Sequence, residues 1–98
     1  MSDIFYVEEK LCGALDEIIV GKGSLRDRLF SAAPYLIRLK IDDIPHKRRA
    51  EFAAVIDILT KHPARRKGEG TIGASVRRLR KDEPAALARK IMSIKLKF

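Results

Sequence analysis

Apolar residues recur every three or four positions along most of the chain, and these stripes predict where helices lie. The first stripe runs from Asp3 to Val20, and Gly21 after it is a natural helix stop. Ser24 then begins a second helix, because its hydroxyl can cap a helix whose third residue is the acidic Asp27. The first third of the chain therefore predicts two helices joined by a short glycine-containing turn.

Prolines divide the middle of the chain. Pro34 lies inside the second apolar stripe and is expected to kink that helix or split it in two. A turn follows, with Asp42 or Asp43 near the start of the third helix and Pro45 in its first turn. The third stripe covers residues 46–61 and stops before a His-Pro pair, since the residue before proline is disfavoured in a helix.

The last third of the chain predicts a basic, glycine-containing loop at 62–70 and two more helices. Thr71 can cap a short helix that reaches about Arg80, and Asp82 can cap the last helix with Pro84 in its first turn. The final residues alternate with period two, but a lone strand has no partner, so helix is expected to the end. The sequence predicts one all-α domain over 1–98, with five helices, or six if the second is split.

Composition and the lack of targeting signals indicate the cellular compartment. Hydrophobic residues make up 46% of the chain, which favours a folded globule, and no tryptophan is present. The single Cys12 excludes an internal disulfide and is expected to be a small core residue of the first helix. No signal peptide or membrane-length apolar run is visible. The basic amphipathic last helix could lie on anionic lipid, but its apolar face is needed for the core. These features predict a cytoplasmic protein without membrane contact.

Charge is distributed unevenly along the chain. Residues 1–60 carry nine basic and ten acidic side chains, a net charge of −1, whereas residues 61–98 carry twelve basic and three acidic, a net charge of +9. Solubilising charge ordinarily mixes both signs, so a one-sided excess favours an anionic partner. A crowded, solvated surface without a ligand is the simpler alternative.

The predicted helix after the basic loop carries the most informative pattern. Its apolar positions Ile72, Val76 and Leu79 should face the core. The opposite side would then combine small and basic residues, namely Gly73, Ala74, Arg77, Arg78 and Lys81. Small residues between arginines would let a nucleic-acid backbone approach while the guanidinium groups reach phosphates. The preceding loop is about nine residues, however, longer than the turn of a helix-turn-helix motif.

A nucleic-acid-binding function follows as the leading hypothesis, with duplex DNA favoured over RNA because no aromatic residue lies between Lys61 and Lys81. Phosphate contacts are expected from Arg65, Arg66, Lys67, Arg77, Arg78, Arg80 and Lys81. Backbone amides at the helix start, around Gly70 and Thr71, could bind a further anion. The chain contains neither Asn nor Gln to read adenine, which leaves arginine–guanine contacts as the only bidentate base readers. Regulatory or architectural binding without specificity is therefore as much expected as operator recognition.

Other classes of function have weaker support. The basic face could instead dock an acidic partner protein, and whether the chain forms a homodimer is left open. The segment GEGTIG matches the letters of a dinucleotide-binding loop, but no strand precedes it and no parallel sheet is predicted. His46 and His62 lie sixteen positions apart at helix boundaries, and no spacing of Cys and His suits zinc. Neither an enzyme, a cofactor nor a metal is therefore expected.

Overall fold

The computed structural model describes residues 4–63 and 70–96, and these residues are all-α as predicted. They form five α-helices and no strand. The helices are α1 (Ile4–Val20), α2 (Leu25–Ile37), α3 (Arg49–Leu59), α4 (Gly70–Arg77) and α5 (Glu83–Leu96), with two short 3-10 turns at Ile41–Asp43 and His46–Arg48. None of the described helices is both long enough and apolar enough to cross a membrane.

The turn between α1 and α2 has the predicted capping chemistry. Ser24 Oγ accepts a hydrogen bond from the Asp27 backbone N–H at 3.2 Å, and Asp27 Oδ2 accepts one from the Ser24 N–H at 3.0 Å. Gly23 has a φ of +93°, a left-handed conformation that favours glycine. Arg28 Nη1 donates to the Ile18 carbonyl at 2.8 Å, so a cation from α2 closes the C-terminal end of α1.

Helices α1 and α2 form a closely packed antiparallel pair. Arg28 reaches Ile18 near the turn, whereas Gly13 lies against Tyr35 at the far end. A Cβ atom built on Gly13 would lie 2.5 Å from Tyr35 Cε1, so a small residue is needed where the helices meet. The buried core extends from this pair to the other three helices; its members are Val7, Leu11, Ala14, Ile18, Leu29, Ala32, Ala33, Leu36, Leu39, Ile44, Phe52, Val55, Leu59, Val76, Leu79, Leu87, Ile91 and Ile94.

Pro34 does not divide the second helix, which is continuous from Leu25 to Ile37. Proline removes one backbone donor, and here only three residues of helix follow it, with the ring in an exposed position. The stripe expected to continue to Leu39 therefore ends in a short connection, and Leu39 reaches the core from outside the helix.

The start of α3 differs from the prediction. Pro45 does not lie in the first turn of an α-helix; it precedes the 3-10 turn at His46–Arg48, and α3 begins only at Arg49. The buried Ile44 anchors the connection, and Arg49 Nε donates to the Ile44 carbonyl at 2.9 Å. This contact holds the chain in two tight turns where a longer helix was expected.

Helix α5 begins at the predicted position and continues into the alternating final segment. Glu83 is its first residue, directly after Asp82, and Pro84 is its second. The helix continues to Leu96, so the alternating final segment is not a strand in its described part; the predicted core position Phe98 lies outside the described residues. Lys95 Nζ approaches Glu8 Oε1 at 3.2 Å and links α5 to α1.

Cys12 is exposed, so its prediction as a core residue was wrong. The buried stripe of α1 is made by Val7, Leu11, Ala14 and Ile18. Cys12 follows Leu11 by one position, which rotates its side chain about 100° away from that stripe. An apolar neighbour in sequence does not place a residue in a helix core; only the i, i+3 and i+4 positions share a face.

Candidate anion-binding surface around helix α4

Helix α4 is wedged between α2 and α3, and this position limits what it can present to a ligand. The predicted core residues Val76 and Leu79 are buried, and Ile72 is partly buried against the core. Ala74 is completely buried, so its prediction as part of the ligand-facing side was wrong. Two neighbouring helices cover more of α4 than one would, and its exposed part is a narrow strip along Gly70, Thr71 and Arg77.

The ends of α4 also differ from the prediction. The helix starts at Gly70 and includes Thr71, so Thr71 is not the residue that caps it from outside. Gly70 has a φ of +75°, which favours glycine at the entry to the helix. The helix ends at Arg77, so Arg80 and Lys81 lie in the connection to α5, where both are exposed. Both predicted anion-binding residues, Gly70 and Thr71, are exposed at the helix start.

A mainly polar cleft of about 480 Å³ opens where the end of α3, the end of α4 and the start of α5 meet. It is lined by basic side chains from two separate segments, Lys61 after α3 and both Arg78 and Arg80 after α4. With the carboxylate of Glu83, three cations and one anion give the lining a net charge of +2. We name it the basic cleft, defined by Ile58, Lys61, His62, Ser75, Arg78, Leu79, Arg80 and Glu83.

Hydrogen bonds fix the floor of the basic cleft. Ser75, which is only 2% exposed, accepts a hydrogen bond at Oγ from the His62 backbone N–H at 2.9 Å. The same hydroxyl lies 3.4 Å from the His62 carbonyl oxygen, to which it can donate. Arg78 Nη1 lies 3.4 Å from His62 Nδ1, and a guanidinium can only donate in this contact. Ser75 thus holds the segment that carries Lys61 and His62 against α4.

The other charged side chains in and beside the basic cleft differ in whether hydrogen bonds hold them in place. Glu83 Oε1 accepts a hydrogen bond from the Arg80 backbone N–H at 2.7 Å, which holds this carboxylate at the start of α5. The side chains of Lys61, Arg80 and Lys81 make no hydrogen bond or ion pair with any other residue that the structure describes. These three cations are therefore exposed to solvent and form no ion pair with an acid that the structure describes.

The predicted site residues fall into three groups. Arg78 and Arg80 line the basic cleft, and the exposed Lys81 directly follows them in sequence. Arg77 lines a different groove, between α4 and α2. The three remaining predicted contacts lie outside the described residues; they are Arg65, Arg66 and Lys67.

Lys61 and His62 line the basic cleft although neither was among the predicted contacts. Lys61 follows α3 and His62 precedes a proline, so both looked like the end of a helix without further role. They lie near Arg78 only because α4 packs against α3 in the fold. The clustering of basic residues from Lys61 onward was the one sequence signal that pointed to this position.

Metal chemistry has no recognisable site in the described ranges 4–63 and 70–96. No group of three or more His, Cys, Asp or Glu side chains there is arranged to hold a metal ion. The described geometry is that of a concave, positively charged surface with guanidinium and ammonium donors. Such donors are suited to phosphate or carboxylate groups.

Comparisons with known proteins add no family assignment. The sequence matches no protein-family model, and neither the curated proteins nor the solved structures searched with it yielded a match.

Proposed function

We propose that this protein is a non-enzymatic DNA-binding protein that contacts phosphates through the basic cleft and the exposed cations beside it. The observation that carries the proposal is the grouping of Lys61, Arg78 and Arg80 around one cleft, although Lys61 comes from a different segment of the chain. The net charge of +9 in residues 61–98 adds a long-range attraction for a polyanion. A regulatory or architectural role would use such binding.

Binding without base-specific readout fits the proposal best. A recognition helix needs a protruding face that can enter the major groove, and α4 has only a narrow exposed strip. Phosphate contacts need no such protrusion, because they come from long side chains at the surface. A cytoplasmic location is part of the proposal and is supported by the lone, exposed thiol of Cys12, which suits a reducing compartment.

A second candidate function is the docking of an acidic protein in the same basic cleft. The narrow exposed strip of α4 favours it, since a concave cleft can receive a carboxylate side chain without entering a groove of DNA. The two functions predict different results when a second polyanion competes with a bound oligonucleotide. Duplex DNA should displace a bound oligonucleotide at low concentration, whereas polyglutamate at equal charge concentration should displace it poorly if phosphates are the natural ligand.

The proposal is tested by removing charge from two different places. The site variant combines Lys61→Ala, Arg80→Ala and Lys81→Ala. The control variant removes three exposed cations elsewhere; these are Lys22, Arg38 and Lys47. Both variants lower the formal net charge by three, from +8 to +5, so they differ only in position.

The assay is fluorescence anisotropy of a labelled duplex at several salt concentrations. The site variant should lower the magnitude of the log–log salt slope by about 2 to 3, since each lost phosphate contact contributes about 0.9. The control variant should keep the wild-type slope. Equal losses in both variants would mean that net charge alone governs binding, and the basic cleft would then not be the site.

A further inference from the structure

Phe30 is an exposed aromatic residue of α2 that the fold places beside helix α4. It lies in α2 one position after the buried Leu29, which turns it about 100° from the buried stripe, and the residue is 49% exposed. Phe30 lies on the opposite side of α4 from the basic cleft, and the residues around it suggest a binding role.

Phe30 lines a groove of about 460 Å³ between the start of α2 and helix α4. The α4 side of this groove is formed by Gly73, Val76 and Arg77. Gly73 adds no side chain to this wall of the groove. We name this the Phe30 groove; its remaining lining residues are Ser24, Arg26 and Asp27.

Hydrogen bonds hold two charged residues of the Phe30 groove, Asp27 and Arg26. Asp27 Oδ2 accepts the Ser24 N–H at 3.0 Å as part of the helix cap, so this carboxylate is already engaged. Arg26 Nη2 donates to the Leu79 carbonyl oxygen and fixes α2 to the end of α4. With Arg26 and Arg77 against Asp27, the lining has a net charge of +1. An apolar ring with a positive surround is the combination that single-stranded nucleic-acid sites use.

We propose that the Phe30 groove stacks an unpaired base of single-stranded DNA, an inference that rests on the proposed function and specifies its ligand further. The basic cleft and the Phe30 groove flank the same helix, with Ser75 and Arg78 on one side and Gly73 and Arg77 on the other. They are therefore separated by about one helix diameter, roughly 10 Å. A strand crossing the end of α4 would place phosphates near the cations and one base on Phe30.

This inference changes the expected ligand from duplex DNA to single-stranded DNA. Duplex DNA was favoured because the segment from Lys61 to Lys81 contains no aromatic residue. The fold supplies one from α2, more than forty positions before Arg77 in the chain. A base in a duplex is already stacked on its neighbours and cannot use Phe30, so only an unpaired strand gains from this contact.

The experiment compares binding of an oligo(dT) strand of about twelve nucleotides with binding of a duplex of the same length, a size within the range of single-strand sites. Wild type, Phe30→Ala and Phe30→Tyr are measured, with Phe5→Ala as the control because Phe5 is exposed on α1. Phe30→Ala should weaken oligo(dT) binding about 5- to 150-fold, the loss of one stacked base, and leave duplex binding unchanged. Phe30→Tyr and Phe5→Ala should bind both ligands as wild type does.

The outcomes separate this inference from the proposed function. Unchanged oligo(dT) binding by Phe30→Ala, or equal losses for strand and duplex, would overturn the stacking role while DNA binding itself stands. Tighter binding of an oligo(U) RNA than of oligo(dT) would overturn the choice of DNA. No binding of either DNA by the wild type would remove the proposed function and this inference together. Thermal unfolding of each variant checks that the fold is retained.

Discussion

Replacing Ser75 with alanine tests the link between the fold and the basic cleft. The Ser75 hydroxyl is almost fully buried and accepts the His62 N–H at 2.9 Å. Removing it deletes one hydrogen bond and leaves the partly buried His62 donor without this partner, a penalty of about 1 to 2 kcal/mol. Alanine recovers about 0.5 kcal/mol through its higher helix propensity. The free energy of unfolding should therefore fall by about 1 kcal/mol.

The assay for Ser75→Ala is thermal and urea unfolding followed by circular dichroism. For a domain of this size, 1 kcal/mol corresponds to a fall in the melting temperature of roughly 4 to 8 °C. Ser31→Ala is the matched control, because Ser31 is an exposed helical serine in α2 and the change should be neutral or slightly stabilising. Equal stability of the two variants would refute the argument that Ser75 holds the segment carrying Lys61.

Three further substitutions test other parts of the structure by the same unfolding measurements. Gly13→Ala should lower the free energy of unfolding by about 1 kcal/mol because Tyr35 must move, and it should become stabilising when Tyr35 is also replaced by alanine; the same sign in both backgrounds would contradict the packing described. Ser24→Ala should cost about 1 kcal/mol through loss of the helix cap, and an unchanged midpoint would show that the cap contributes nothing. Cys12→Ser should alter stability by less than about 0.5 kcal/mol, and the native thiol should react with a thiol reagent without denaturant; reaction only after unfolding would return Cys12 to the core.

Features governed by local chemistry were predictable from the sequence. The cap formed by Ser24 and Asp27 depends on residues three positions apart, and both of its hydrogen bonds are present. The stop after Val20 and the entry of Pro84 into α5 follow similarly from local backbone preferences. The all-α fold follows from apolar stripes that were long enough to specify the helical period.

Features that depend on which helices become neighbours were not predictable in this way. One apolar stripe assigns a helix a single buried face, but α4 is covered by both α2 and α3, so Ala74 is buried as well. The basic cleft needs Lys61 beside Arg78, and the Phe30 groove needs α2 beside α4. Each of these pairs is distant in sequence, and one sequence carries no direct signal of such contacts.

The central claim is that the cations around α4 hold DNA phosphates, and a salt titration of duplex binding by the wild-type protein tests it most directly. If Lys61, Arg77, Arg78, Arg80 and Lys81 each neutralise one phosphate, the log–log slope of affinity against salt should be about −4.5. We predict saturable binding with a Kd in or below the micromolar range and a slope of about −4 or steeper. Absence of saturable binding at low salt would contradict the claim, and an acidic protein would then be the ligand to seek.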